Sequence, residues 1–326
     1  MALLIGGSPS TGSSLLRRIL NRHSKVFCGS ETALFSKEEL YEKWGKQKAR
    51  LFRKYFAGLR SAGWHHLRGI IIDNEYSISN EELKQLLYAS NSFPDFAEVF
   101  YMKSMKEESK MIWAEKTPSN VFCFNKFLKS FPGSKVIHIV RNHEDTIASL
   151  INRGMHVYDA CVIYLLNTTA GLEYINKPTC LTIQYENLVT DPGTIVPQLC
   201  QFMEIPFESS MLDPDQQKLP NDYMEGWKYR ETASIQSGSI GRFKQLDDRE
   251  RNDITCLMYR LRSALDTTYK SIPELADKMS YDIQPEAADY SLSFNLERHM
   301  ILDRTKRTLK GSYFNHFNYP VYVERK

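Results

Sequence analysis

The sequence predicts an α/β fold: a P-loop-type three-layer sandwich with a central parallel sheet, a helical insertion at about 34–107 and a C-terminal extension at about 245–326. Three observations carry this. The chain opens with an apolar run, Leu3-Leu4-Ile5, a turn of small residues from Gly6 to Gly12, and then Leu15, Leu16, Ile19 and Leu20 at helical spacing. From residue 111 to 203, short apolar runs alternate with helical patterns, the rhythm of a parallel sheet covered on both faces. The polar clusters all follow strands: Ser8–Ser14, Gly29–Thr32, Glu115–Thr117, Arg141–Ser149 and Tyr185–Glu186. Ligands of such sheets sit beyond the carboxyl ends of the strands.

In chain order, Val26-Phe27-Cys28 reads as a short strand. A helical stretch over 34–60 has Leu34, Phe35, Leu40, Trp44, Leu51, Phe52 and Phe56 as its apolar stripe. Ile70-Ile71-Ile72 is a strand or a buried turn. Helices are expected at 79–90, after a Ser79 cap, and at 94–107. Residues 111–115 form a strand and 118–131 a helix. Lys135–Val140 is the strongest strand of the chain, followed by a helix from Asn142 to Arg153 and another over 157–175. Cys180–Tyr185 is a strand and 192–203 a helix. Beyond 205 the pattern weakens: Pro206, Pro214 and Pro220 mark loops, helices are expected at 247–262 and 291–309, and the aromatic tail from Tyr313 to Pro320 docks on the body.

Of the 326 residues, 42% are apolar and 25% charged, which is enough for a sizeable core. A net charge of +3 is too small to argue for nucleic acid. The six cysteines form no CxxC pair and no His/Cys cluster has metal spacing, so no metal is expected and buried thiols in a reducing compartment are. No run of 18 apolar residues suggests a membrane span, and the first fourteen residues read as strand and loop rather than signal peptide, so the expected location is the cytoplasm.

The first loop carries the chemistry. Backbone N–H groups of a strand–turn–helix junction converge on an anion, and the helix N-terminus adds partial positive charge. Gly7 and Gly12 have the spacing of a Walker A loop, but Ser13 stands where an NTPase needs Lys for its β- and γ-phosphates. A ligand of lower charge, such as a 5′-phosphosulfate, suits the loop better. This weighs against a P-loop kinase or NTPase, as does the lack of a magnesium-binding Asp after a strand. Arg141 leaves the end of a strand, and Ser149 follows two helical turns later, about 12 Å along the axis. An Arg fork with a hydroxyl suits a phosphate monoester.

Ser8-Pro9-Ser10-Thr11-Gly12-Ser13-Ser14-Leu15-Leu16, Arg141-x3-Asp145-x3-Ser149 and Tyr185-Glu186-Asn187-Leu188-Val189-x-Asp191-Pro192 together resemble the sulfotransferases that use 3′-phosphoadenosine 5′-phosphosulfate (PAPS). The resemblance covers roughly 1–35 and 110–245, and implies one sulfotransferase-like domain over 1–326. It implies that the first loop, Pro9 through Ser14, holds the 5′-phosphosulfate through backbone amides and the hydroxyls of Thr11, Ser13 and Ser14. Arg141 and Ser149 would hold the 3′-phosphate, with Tyr185 near the nucleotide. Ser239-Ile240-Gly241-Arg242-Phe243 is similar to the segment that closes over the nucleotide, which adds Arg242 as a phosphate contact.

Cys28-Gly29-Ser30-Glu31-Thr32 and Glu115-Lys116-Thr117-Pro118 resemble most the tyrosylprotein sulfotransferases and their bacterial relatives. There Glu31 is similar to a general base and Lys116 to a transition-state cation. The chemistry agrees: an attacking hydroxyl must lose a proton, and charge grows on the leaving phosphate oxygen. One departure is Ser10, where the family loop has Lys or Arg. It leaves either a variant site or an inactive nucleotide-binding scaffold. Lys116 is then the main cation, joined by Arg17 or Arg18 if either turns inward, although the solvent face of their helix is the expected place of both. His156 is the second choice of base, and His65-His66 stay unassigned, with a surface loop or helix face expected for them. The expected acceptor is a hydroxyl compound, a small molecule or glycan in preference to a peptide, which the resemblance to the protein-tyrosine branch keeps open. Phe93, Phe96, Phe100, Tyr101 and Met102 would line its pocket or form plain core.

Overall fold

Five strands make one sheet: β1 (Ala2–Gly7), β2 (Val26–Cys28), β3 (Ile112–Lys116), β4 (Lys135–Val140) and β5 (Cys180–Gln184). Their order is β2-β3-β1-β4-β5 and every pairing is parallel. The computed structural model describes residues 1–29, 31–56, 76, 78–107, 109–213, 235–263, 271–283, 294, 296–302 and 321–323. Ser30, Ile70–Ile72, His65-His66, Pro214, Pro220, the 313–320 tail and most of the expected 291–309 helix lie outside them, although 296–302 is helical.

β1 is central because it is apolar on both faces. Leu3, Leu4 and Ile5 are fully buried, Leu4 in one core and Leu3 and Ile5 in the other. Helix α1 (Ser13–Asn21) lays Leu16, Ile19 and Leu20 on the sheet. On the other side sit α2 (Glu38–Glu42), α3 (Trp44–Phe56), α4 (Asn80–Ala89) and α5 (Phe93–Glu107), which stand between β2 and β3. Ser79 caps α4 with a full capping box to Glu82, as its sequence signature predicts.

The aromatic residues of this region are core, not a pocket lining. Phe93, Phe96, Phe100 and Tyr101 are buried with Phe35, Trp113 and Phe127, and the Tyr101 and Trp113 rings stack at 4.5 Å. Met102 is exposed. The expected helix start at 34 gives way to α2 at Glu38 because side chains capture the preceding backbone. Thr117 Oγ1 accepts from the Ala33 N–H at 3.2 Å, and Ala33 has φ +53°. The expected 118–131 helix opens as a 3-10 segment, Pro118–Cys123, before α6 (Phe124–Ser130). Asn120 is buried there and donates to the Ile5 carbonyl at 3.0 Å.

Behind β4 lie α7 (His143–Ile151) and α8 (Val157–Leu172). α8 is covered nearly all round, as its apolar composition requires. The strand expected to end at Tyr185 stops at Gln184, and Tyr185 begins α9 (Tyr185–Thr190), ahead of α10 (Pro192–Phe202). The C-terminal region adds α11 (Asp248–Arg260), a short antiparallel pair of β6 (Leu261–Ser263) with β7 (Val321–Val323), and α12 (Ile272–Lys278). The β6–β7 pair and α12 were not legible in the sequence. All six cysteines are buried free thiols. Among the described residues no helix is long and apolar enough to cross a membrane.

Two buried imidazoles make the fold sensitive to acid. His138 lies within β4 with both ring nitrogens unpartnered, and His143 opens α7. Burial pushes each from its ordinary 6.5 down to about 4. The unfolded chain therefore binds more protons between these values, so stability is fully present above pH 6.5 and is lost as pH falls toward 4. We expect a loss of about 2 kcal/mol per histidine from pH 7 to pH 5, read as a falling urea midpoint. His138→Leu should remove about half of that slope.

Candidate functional site

The carboxyl ends of β1, β3 and β4 come level through the strand register, which pairs Ile5 with both Lys116 and Ile137. The segments that leave these ends build one site.

The first is the loop from Ser8 to Gly12. It turns tightly: Ser10 has φ +70° and Gly12 φ +91°. Thr11 is buried and its hydroxyl donates to the Ser8 carbonyl at 2.7 Å, closing the turn. A Cβ on Gly7 would stand 2.2 Å from the Ile139 carbonyl, and one on Gly12 would stand 2.3 Å from the Tyr185 ring. Pro9 is half-buried at the turn, Ser13 is buried and Ser14 half-buried at the start of α1. The hydroxyls of Ser8 and Ser10 are buried with no hydrogen-bond partner among the described residues. Unsatisfied groups at a loop that faces the strand ends suit an anionic ligand.

The second segment follows β4. Arg141 is 3% exposed and its guanidinium lies over the Tyr185 ring, 4.9 Å from the centroid. It donates to the Ser10 carbonyl at 3.0 Å and to the Ser239 carbonyl, and its Nε has no partner. Burial pulls its pKa below the ordinary value, while Asp145 opposes that shift. Arg242 donates to Ser149 Oγ at 2.7 Å and to Ser239 Oγ at 2.9 Å. Arg141, Ser149, Tyr185, Arg242 and the first loop, spread over 230 residues of sequence, are thus one cluster.

Asp145 assembles it. Its carboxylate accepts from the Gly241 N–H at 2.7 Å and the Phe243 N–H at 3.0 Å, fastening the 239–243 segment to α7. Sequence reading assigned Asp145 no role. Its signal was the i, i+4 spacing to Ser149, which sets the two on one face of α7, with Arg141 four residues before it at the strand end. Glu186 was missed likewise: it accepts from the Asn142 N–H at 2.9 Å and from the Tyr281 hydroxyl at 2.8 Å, tying the C-terminal region to the start of α7.

The third segment carries Lys116 and meets Glu31. Lys116 is 2% exposed at the end of β3; its ammonium pairs with the Glu31 carboxylate and donates to Ser14 Oγ at 3.3 Å. The Glu31 side chain is 27% exposed. A carboxylate open to solvent beside a buried ammonium, both against the phosphate-type loop, can take a proton from an incoming hydroxyl and stabilise charge on an oxygen held by the loop.

Two expectations are corrected here. Arg17 and Arg18 are half-buried rather than on the solvent face, and Arg17 Nε donates to the Cys28 carbonyl at 3.1 Å. His156 caps α8, accepting from the Tyr158 N–H at 3.3 Å, and stacks on His299 at 3.4 Å, so it is engaged apart from Glu31 and Lys116.

A parallel α/β sheet with an anion-type loop, an Arg–Ser–Arg cluster and a Lys–Glu pair suits a phosphate-bearing ligand. Comparison with known proteins gives the family: residues 2–209 match the model of the sulfotransferase family, and the chain belongs to it. It is 24% identical over 232 residues to protein-tyrosine sulfotransferase A of Caenorhabditis elegans, covering 66% of this chain and 52% of that one. It is also 24% identical over 226 residues to protein-tyrosine sulfotransferase 1 of Danio rerio, covering 64% and 55%. The chain thus spans about half the length of these curated relatives. The sulfotransferase domain of the Synechococcus PCC 7002 olefin synthase shares the fold, with a TM-score of 0.56 and 18% identity over 87% of this chain and 95% of that one. The expectation of a small-molecule or glycan acceptor in preference to a peptide is overturned by the curated relatives, which are named as protein-tyrosine sulfotransferases.

Gly12→Ala should destabilise the protein by about 1–3 kcal/mol, because the new methyl meets the Tyr185 ring at a positive φ. Urea unfolding checks this, and an unchanged midpoint would mean that the loop relaxes freely.

Proposed function

We propose that the protein transfers a sulfuryl group from PAPS to the phenolic hydroxyl of tyrosine in a peptide or protein. The reading is carried by the contact of Lys116 with Glu31 and Ser14 at the mouth of the first loop, in a chain of the sulfotransferase family. The tyrosine acceptor is supported by the names of the curated relatives.

The donor supplies an activated sulfuryl group on a phosphate leaving group, and the residues present suit it. The Pro9–Ser14 loop, with its unpartnered Ser8 and Ser10 hydroxyls, would take the 5′ end. Arg141, Ser149 and Arg242 would take the 3′-phosphate; two guanidiniums and a hydroxyl match a dianion. Tyr185 would carry the face of the base, stacked as it is under Arg141. Arg141 would exchange its bonds to the Ser10 and Ser239 carbonyls for phosphate oxygens.

Glu31 accepts the acceptor's proton as its oxygen attacks sulfur. Lys116 neutralises the charge that grows on the bridging oxygen of the leaving phosphate. With Ser10 at the position of the family's loop cation, Lys116 takes that electrostatic task, and Ser14 holds its ammonium toward the loop.

Thermal unfolding with adenosine 3′,5′-bisphosphate, against ATP with Mg²⁺, tests the donor class. At a hundredfold excess over Kd, the bisphosphate should add about 2.7 kcal/mol and raise Tm by several degrees, with no shift from ATP. A shift with ATP alone would overturn the reading. Lys116→Ala should lower kcat for sulfation of a tyrosine peptide by roughly a hundredfold or more, with bisphosphate affinity largely kept. Arg141→Ala should instead weaken bisphosphate binding by roughly tenfold to a hundredfold.

A further inference from the structure

We infer that Glu115 is a positioning residue for the Glu31–Lys116 pair; the inference rests on the sulfuryl-transfer reading above. Glu115 immediately precedes Lys116 and is 0% exposed. A wholly buried carboxylate is costly unless donors surround it. Here four do. One oxygen accepts from the Thr32 N–H at 2.9 Å, the Thr32 hydroxyl at 2.9 Å and the Thr117 hydroxyl at 2.7 Å. The other accepts from the Asn120 side-chain amide.

These bonds join the segments that carry the reacting groups. Thr32 follows Glu31, so the bond to its N–H fixes the peptide plane on which Glu31 is mounted. That segment has neither helix nor strand to hold it. Thr117 follows Lys116 and also takes the Ala33 N–H. Asn120 donates in addition to the Ile5 carbonyl, beside the strand end that opens the phosphate-type loop. Successive strand residues face opposite ways. Lys116 therefore serves the site while its neighbour Glu115 anchors the backbone from behind.

Burial raises the Glu115 pKa while its four hydrogen bonds oppose that shift, and the pattern of acceptors matters as well as the shape. In Glu115→Gln one acceptor oxygen becomes an NH₂ group. Turned one way it faces the Thr32 N–H. Turned the other way it faces the Asn120 amide, whose orientation is held by the Ile5 carbonyl. Either way two donors meet and one loop must give.

The test is a double-mutant cycle on sulfation of tyrosine peptides from PAPS. We expect Glu115→Gln to lower kcat roughly tenfold to a hundredfold, because small misplacement of a reacting group is costly, with the Kd for adenosine 3′,5′-bisphosphate within about twofold of wild type. In a Glu31→Gln background, Glu115→Gln should cost markedly less in kcat than in wild type, since the part of its effect that passes through Glu31 is already lost. A merely structural role would give the same loss in both backgrounds, and that result would overturn the inference. Thr117→Val, which keeps the carboxylate, should show the same non-additivity on a smaller scale and serves if Glu115→Gln does not fold. No transfer by the wild-type protein to any tyrosine peptide would overturn the acceptor reading and the positioning role together. Transfer with additive losses would overturn the positioning role alone.

Discussion

The site depends on the register of three buried strands. β1 lies between β3 and β4, and hydrogen bonding sets Ile5 level with Lys116 on one side and Ile137 on the other. A slip of one residue on any strand would turn its side chains to the other face and move its terminal loop along the sheet. Lys116 would then leave the mouth of the first loop, and Arg141 would leave the Tyr185 ring. Apolar residues on both faces of β1 enforce the register, since each face has its own core to fill. The close approach of Gly7 to the Ile139 carbonyl lets the loop spring from the strand without pushing β4 away.

Buried and half-buried carboxylates do the joining that secondary structure does not. Asp145 takes two backbone N–H groups of the 241–243 segment, Glu186 takes one from Asn142, and Glu115 takes one from Thr32. In each case a charged acceptor ends a strand or starts a helix and captures a loop remote in sequence. Charge-assisted bonds of this kind are short and directional, so they place loops that lack a ladder of their own. The cationic side chains are placed by the same means: Arg141 by the Ser10 and Ser239 carbonyls, Lys116 by Glu31 and Ser14.

Ser10 is where the chain departs from the pattern of the resembling enzymes, and its surroundings show how the loop adapts. Its φ is +70°, its carbonyl holds Arg141 and its buried hydroxyl has no partner. A second cation comes from β3, a different strand end: Lys116 donates to Ser14 Oγ at 3.3 Å. The register brings the ends of β1 and β3 level, which sets Lys116 within reach of Ser14.

Much of this was legible in the sequence because local signals agreed with the global fold. The strand–turn–helix at the N-terminus, the Ser79 capping box, the apolar run of β4 and the largely apolar α8 each declare themselves locally. Composition and spacing alone thus determined the sheet, the loop after β1 and the residue types at three strand ends. What they could not determine were features made by distant partners. The start of α2 at Glu38 depends on Thr117, the early end of β5 accompanies a bond from Gln184 to the Met279 carbonyl, and β6 exists only through pairing with β7. The roles of Glu115 and Asp145 belong to the same class. A carboxylate reads alike in sequence whether it is solvated or captures a loop, and only folding puts the buried N–H groups of that loop within its reach.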